Sequence, residues 1–192
     1  MTGSKKFDPQ KRKKLNNPVR LEWLPPALIW NLVGSTSEST FVDIGAGTGY
    51  ITREIAGIAG PSVRIHALDI EPLMIEEMQK TLPNNGLVKP QLMEMNQLPF
   101  ADDCMDGIWM ITLYHELEPA EPLLQEIRRV LRPGGQLLII DWEKNEEACD
   151  HGPPLQHRVA VNTTKQQVTK TGFHNVRIVP GFHCHYGVIG QV

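Results

Sequence analysis

A series of short apolar runs, separated by polar, glycine-rich or proline-rich breaks, sets the order of elements along the chain. Phe41–Ile44, apolar and β-branched but for Asp43, reads as a first strand. Every second residue of the turn after it is glycine, and the helical pattern Ile51–Ala59 follows. Gly60-Pro61 breaks that pattern, Val63–Leu68 reads as a second buried strand ending in Asp69, and Pro72 opens a helix that runs to about Leu82. Asn84-Asn85-Gly86 is a loop, Gln91–Met95 a third short strand and Asp106–Thr112 a buried fourth. Ala120–Leu131 is amphipathic, and Arg132-Pro133-Gly134-Gly135 is expected to end it with C-cap chemistry. In Gln136–Asp141 every position from Leu137 to Ile140 is apolar, which marks a central strand.

Past Trp142 the pattern loosens into the polar stretch Glu143–Pro154. A helix is expected over about Thr164–Thr171, capped by Gly172, then two closing strands, Val176–Val179 and His185–Gln191, joined through Pro180-Gly181. At the other end, Met1–Asn17 is polar, with Lys11-Arg12-Lys13-Lys14 in its middle and Phe7, Leu15, Trp23 and Leu24 as apolar anchors. By charge pattern this is a solvated helix or arm. Pro25-Pro26 precede a helix over Ala27–Val33, and Gly34–Thr40 is a polar connector.

Composition narrows the class only by exclusion. At 192 residues the chain is long enough for one domain with a full core, and its 41% hydrophobic and 21% charged residues are ordinary for a globular protein. A net charge of −3 gives no nucleic-acid footprint, and no apolar run has the length of a membrane span. The N-terminus is polar and basic, unlike a secretory signal, and the three scattered cysteines Cys104, Cys149 and Cys184 fit a reducing cytosol, so a cytoplasmic location is expected.

Chemistry enters at the glycine turn. Gly45, Gly47 and Gly49 let the chain turn tightly, approach a ligand and start a helix whose free N–H groups face that ligand. A dinucleotide fingerprint would need its third glycine at position 50, where Tyr50 stands, and no Lys-Ser or Lys-Thr pair completes a P-loop. Asp69 is placed to accept the hydroxyls of a ribose. Asp43 adds a carboxylate beside the turn, which disfavours a pyrophosphate and favours a ligand with an ammonium and a sulfonium. That combination favours S-adenosylmethionine over NAD.

Together, Val42-Asp43-Ile44-Gly45-Ala46-Gly47-Thr48-Gly49, Ala67-Leu68-Asp69-Ile70, Leu98-Pro99-Phe100, Asp106-Gly107-Ile108 and Val130-Leu131-Arg132-Pro133-Gly134-Gly135 resemble the class I S-adenosylmethionine-dependent methyltransferases. The resemblance is to the group similar to ubiquinone and menaquinone C-methyltransferases and covers nearly all of the chain from about Phe7. It implies a three-layer α/β sandwich, Rossmann-like, with a seven-stranded and mostly parallel sheet whose last strand is antiparallel. It implies one methyltransferase domain over 1–192, with 1–34 an N-terminal lid or helical segment and 35–192 the catalytic core. A lid would keep water from a reactive methyl group.

By the same resemblance, Asp43, Gly45, Ala46, Gly47, Thr48 and Gly49 frame the methionine end of the cofactor. Asp69 holds the ribose; Ile70, Met74, Glu94 and Met95 meet the adenine, Glu94 standing where the family commonly has Asp, with Asn96 and Gln97 as polar alternatives nearby. Thr112 meets the cofactor, and Tyr114 and His115 point towards the methyl acceptor.

Methyl transfer from a sulfonium is an in-line displacement that needs a base only when the nucleophile would stay protonated. His115, just past the fourth strand, ranks first for that role and Glu116 second. Trp142 reads as an acceptor-pocket wall, and His151, His157 and Arg158 lie in a loop able to fold over it. Arg158 would pair with a substrate carboxylate or with a structural acid. On a strand His183 and His185 would share a face and, with His174, invite a zinc reading, but spacing places no fourth ligand and no metal is expected. The expected partner is a small-molecule methyl acceptor, with a homodimer as the assembly to test. Two other readings stay open: an NAD(P)-dependent oxidoreductase, and a non-catalytic regulatory module that binds S-adenosylmethionine.

Overall fold

The structure, a computed structural model, describes residues 7–34, 38–145 and 151–192. Cys149 lies outside the described residues, as do parts of the N-terminal arm, the 34–40 connector and the 143–154 loop. The described chain opens with a 3-10 segment, Pro9–Asn16, then α1 (Val19–Trp23) and α2 (Pro26–Val33). There follow β1 (Ser39–Ile44), α3 (Tyr50–Ala59), β2 (Val63–Asp69), α4 (Pro72–Thr81) and β3 (Val88–Leu92). The second half holds β4 (Met105–Ile111), α5 (Glu121–Val130), β5 (Leu131–Trp142), α6 (Val161–Lys170), β6 (His174–Val179) and β7 (His185–Gln191).

The strands form one seven-stranded sheet in the order β3-β2-β1-β4-β5-β7-β6. Neighbours are parallel except β7, which runs antiparallel to both β5 and β6. The expected architecture, with its antiparallel last strand, is the one observed. The chain leaves β1 for β2 and β3 on one side, then returns to β4 on the other, so the strand order reverses between β1 and β4. The carboxyl ends of strands at such a reversal diverge into a crevice, where α/β sheets bind ligands.

Alternation along the strands builds two apolar layers. Val42, Ile44, Ile108, Met110, Leu137 and Ile139 face α5 and α6 through Leu124, Ile127, Val130 and Val168. Phe41, Ile65, Trp109, Leu138 and Ile140 face α2, α3 and α4 through Ile29, Ile55 and Met78. Both faces are covered, which is why the central strands read as continuous apolar runs.

Close packing makes Gly107 a sensitive point. A β-carbon there would stand 2.7 Å from Phe41 on the neighbouring strand, whose ring is wedged between Trp30 and Trp109. Gly107→Ala is expected to cost about 1–3 kcal/mol through overpacking, read as a lower denaturant midpoint at unchanged slope.

Several element boundaries differ from expectation, three of them with a visible structural counterpart. The third strand is Val88–Leu92, earlier than Gln91–Met95, and Pro90 lies inside it. Pro90 is tolerated because β3 is an edge strand. Helix α5 ends at Val130 and passes straight into extended backbone at Leu131, without the expected glycine cap. Pro133-Gly134-Gly135 instead bulges between the pairings Met105–Leu131 and Gly107–Gln136, and the Gly134 amide donates to the Val192 carbonyl at 2.7 Å. Helix α6 starts at Val161 rather than Thr164, because Thr164 is buried inside it, bonded to the Tyr186 hydroxyl at 2.8 Å.

Candidate active site

The glycine turn after β1 is held from below by the end of β2. The Ala46 amide donates to the Leu68 carbonyl at 2.9 Å, and the Gly47 amide donates to Asp69 Oδ2 at 2.9 Å. Asp69 Oδ1 accepts from the Glu71 amide at 3.0 Å. Gly45 and Gly47 are left-handed, with φ of 70° and 58°, and a β-carbon on them would meet Leu113 at 2.8 Å and Leu15 at 2.9 Å respectively. Only glycine adopts this backbone without strain and without striking those two leucines. Asp43 is buried beside it, accepts from the Thr52 hydroxyl at 2.6 Å, and is pushed up to about 7 by burial despite that bond. Burial also raises the Asp69 carboxyl, against the two amides that favour its ionised form.

A cavity of ≈ 1440 Å³ opens above the turn at the carboxyl ends of the strands. Asp43, Gly45, Ala46, Gly47 and Asp69 line one end of its wall, joined by Ile70, Met74, Met95 and Thr112. His115, Glu116, Trp142 and His157 line it as well. Five of the expected site residues are not brought to this wall. Thr48 is buried and its hydroxyl donates to Asn16 Oδ1, while Gly49 caps α3 against Met78. Glu94 points to solvent in a bridge with Gln97, and Met93 and Asn96 stand on the wall instead. Tyr114 turns into the core, where its hydroxyl donates to Gln167 Oε1 at 2.8 Å. Among the described residues Arg158 pairs with no carboxylate; its guanidinium donates to the carbonyls of Pro153, Glu143 and His151 and lies over the Trp142 ring, so it ties the loop to the strand end.

His115 sits in a 3-10 turn, Tyr114–Glu116, just after β4. Strand β5 lies alongside β4, so Asp141 near its end comes up beside the turn. The His115 amide donates to Asp141 Oδ2 at 2.9 Å, and His115 Nδ1 lies 2.8 Å from Asp141 Oδ1. That contact assigns the proton to Nδ1 and leaves the Nε2 lone pair as the basic site of the neutral ring. Burial pulls the imidazole down, but the bond and charge of Asp141 outweigh it and leave His115 above the ordinary histidine value. Glu116 Oε1 is 3.8 Å from Nε2 and accepts the Phe7 amide at 3.1 Å; burial raises its carboxyl. Asp141 is the residue that sequence reasoning passed over as a partner for His115, having placed it only as the last residue of the fifth strand.

The far end of the cavity is aromatic. Trp23 stacks on His151 at 5.1 Å, and Trp142 meets His185 at 4.1 Å. His183 and His185 do not share a strand face: β7 begins at His185, Cys184 is left-handed at φ 58°, and His185 Nδ1 contacts the His183 carbonyl. His174 pairs with Gln191 at the outer edge of the sheet. Across the top runs the N-terminal strap, with Phe7, Lys14, Leu15, Arg20 and Trp23 on the cavity wall and Arg12 3.6 Å from Glu77. Among the described residues no helix is long and apolar enough to cross a membrane.

Residues 42–139 match the methyltransferase domain family. A ubiquinone/menaquinone biosynthesis C-methyltransferase of Burkholderia mallei is 32% identical over 114 residues, a match that takes in 57% of this chain and 47% of that protein. The chain thus covers about half the length of the curated relatives it matches. A SAM-dependent methyltransferase from Aquifex aeolicus, known from its crystal structure, is 30% identical, with a TM-score of 0.89 over 97% of this chain and 100% of that one. An S-adenosylmethionine-dependent methyltransferase structure from Methanococcus maripaludis shares the fold, with a TM-score of 0.75 over 99% of this chain and 95% of that one at 20% identity. These likenesses set aside the oxidoreductase alternative. With a family match over half its length and a full-length structural relative at 30% identity, the chain belongs to the class I S-adenosylmethionine-dependent methyltransferases.

Proposed function

We propose that this protein transfers a methyl group from S-adenosylmethionine to a small-molecule acceptor whose nucleophilic atom must lose a proton, with His115 as the base and Asp141 holding it. The observation that carries this reading is that His115 and the glycine turn line one cavity. At ≈ 1440 Å³ the cavity exceeds the roughly 300–1,000 Å³ of a typical small-ligand site, which supports a place for cofactor and acceptor together. Enclosure by the strap favours a small acceptor, and a relative named for quinone biosynthesis makes quinol-like rings the first to screen.

The residues fit the cofactor. Gly45 and Gly47 give the cavity wall a left-handed backbone without side chains, and Asp43 and Asp69 offer carboxylates where cationic and hydroxylated groups would lie. In this reading Asp43, Gly45, Ala46 and Gly47 frame the methionine end and Asp69 holds the ribose. Ile70, Met74 and Met95 flank the adenine, Asn96 takes the polar contact expected of Glu94, and Thr112 supports the cofactor's middle. S-adenosylmethionine supplies an electrophilic methyl group on a sulfonium, a good leaving group. The chain's part is to hold the acceptor on axis, take its proton at His115 Nε2 and exclude water under the strap. Trp142 and His157 form the acceptor wall.

The test is methyl transfer from labelled S-adenosylmethionine to a panel of quinols, phenols and carbon acids. Turnover of one of them supports the proposal. Cofactor binding with no turnover on any acceptor would favour the regulatory-module reading.

Asp43 supplies a second expected result. Its free carboxyl titrates at about 7, and a bound ammonium favours the ionised form, which lowers that value. Binding of S-adenosylhomocysteine near pH 7 therefore releases part of a proton, seen calorimetrically as a heat that varies with buffer ionisation enthalpy. Asp43→Asn should abolish the variation.

A further inference from the structure

Among the described residues two buried side-chain polar atoms lack a hydrogen-bond partner, Trp109 Nε1 and His185 Nε2. Trp109 lies in the core, whereas His185 lines the cavity at its aromatic end. Strand β7 starts at His185, and its pairing with β5 sets His185 opposite Trp142, one residue along from the Asp141 that holds His115. His185 Nδ1 contacts the His183 carbonyl. A carbonyl only accepts, so Nδ1 carries the proton and Nε2 keeps a bare lone pair. Burial lowers the ring's pKa to about 4, so it is neutral near pH 7. An acceptor stripped of water and left without a donor is costly to keep, and a donor on a ligand would relieve it.

The cavity wall thus carries two imidazoles protonated at Nδ1 and tuned in opposite directions. The Asp141 carboxylate raises His115 and suits it to take a proton, while burial beside a mere carbonyl leaves His185 too weak a base to do so. His185 can accept a hydrogen bond and leave the proton where it is. The wall around it is aromatic: Trp142 stands 4.1 Å from His185, and Trp23 meets Trp142 edge-on at 6.3 Å. Such a surface suits an aromatic ring. We infer that His185 Nε2 accepts a hydrogen bond from a second hydroxyl on an aromatic methyl acceptor, distinct from the group that His115 deprotonates. The acceptor class is then a dihydroxylated ring rather than a simple phenol or an aliphatic carbon acid. This rests on the methyltransferase reading and narrows it.

The test is calorimetric titration of wild type, His185→Phe and His185→Gln, each saturated with S-adenosylhomocysteine. The ligands are 1-naphthol and the 1,3-, 1,4- and 1,5-naphthalenediols, kept reduced under inert gas. All four offer the same ring and one hydroxyl for His115; only the diols carry a second. Wild type should bind at least one diol about tenfold more tightly than 1-naphthol, because Nε2 has already lost its water and only the hydroxyl's own desolvation opposes the bond. His185→Phe keeps a ring beside Trp142 but no acceptor, and should bring that diol to within about twofold of 1-naphthol. His185→Gln returns an acceptor oxygen and should restore part of the preference. Should His185→Phe not fold, the preference of wild type and its partial survival in His185→Gln decide. Wild type that binds S-adenosylhomocysteine but prefers no diol, or binds no ring, would overturn the inference. So would a preference that survives in His185→Phe, and equal loss of all four ligands there would make His185 a structural residue. A wild-type protein that does not bind S-adenosylhomocysteine would instead sink the cofactor assignment beneath the inference, and the inference with it.

Discussion

Replacing His115 by alanine is expected to lower kcat by roughly 10²–10⁴-fold, the usual worth of a positioned general base, with S-adenosylhomocysteine affinity changed by less than about threefold. The asymmetry follows from place. His115 lies beyond β4 and is fixed by Asp141 on β5, whereas the glycine turn is built by β1 and β2. The substitution leaves Asp141 with its bonds from the His115 and Trp142 amides, so the strand end keeps partners. A base must be neutral to act, so turnover should rise with pH through an apparent pKa above the ordinary histidine value of about 6.5. Asp141→Asn removes the charge that raises His115 and leaves burial, which lowers it. That limb should then move to lower pH while the plateau falls. The same pair contributes stability that is fully present below the unfolded histidine value and fades as pH rises through the raised one. Wild-type turnover in a folded His115→Ala protein would remove His115 from the chemistry.

What could be read in advance divides along a physical line. Central strands were legible because both faces are buried, so Leu137–Ile140 is apolar at every position and Phe41–Ile44 at every position but Asp43. The glycine turn was legible because backbone geometry forces its composition. Edge and boundary features were not: Pro90 reads as a break unless the strand is known to be at an edge, and Gly134-Gly135 reads equally as helix cap or strand bulge. The base partner was hidden for a different reason. Asp141 is 26 residues from His115, and only the β4–β5 pairing brings them together. Strand order is not written in any local pattern. A carboxylate at the end of the most apolar strand was the available signal, since an acid there needs a partner. Tyr114 shows the converse. Its neighbour in sequence reaches the cavity, but a 3-10 turn directs Tyr114 the other way into the core, and Leu113 and Glu116 take the wall.

Asp69→Ala is expected to weaken S-adenosylhomocysteine about 100-fold, because it removes the ribose acceptor and the support of the turn at once. Asp69 Oδ2 holds the Gly47 amide and Oδ1 the Glu71 amide, on either side of the place where the ligand is proposed to lie. Bonds to a charged acceptor are worth about 1.5–3 kcal/mol each, and a buried amide stranded without one costs about 1–3 kcal/mol. Loss of two ribose contacts reaches the roughly 2.7 kcal/mol that corresponds to 100-fold, and a turn no longer held ready for the ligand adds to it. Asp69→Asn separates the two contributions. It keeps one carbonyl oxygen for one amide but turns an NH₂ group towards the other, so the turn is disturbed while volume is kept. Its affinity should fall by an intermediate factor, and its denaturant midpoint should fall with it. Burial raises the Asp69 carboxyl, so wild-type affinity should begin to decline at a higher pH than an ordinary aspartate would allow, and Asp69→Asn should lose that decline. A variant that binds as wild type does would mean that the ribose is held elsewhere on the wall, with Glu71 the next acid in line.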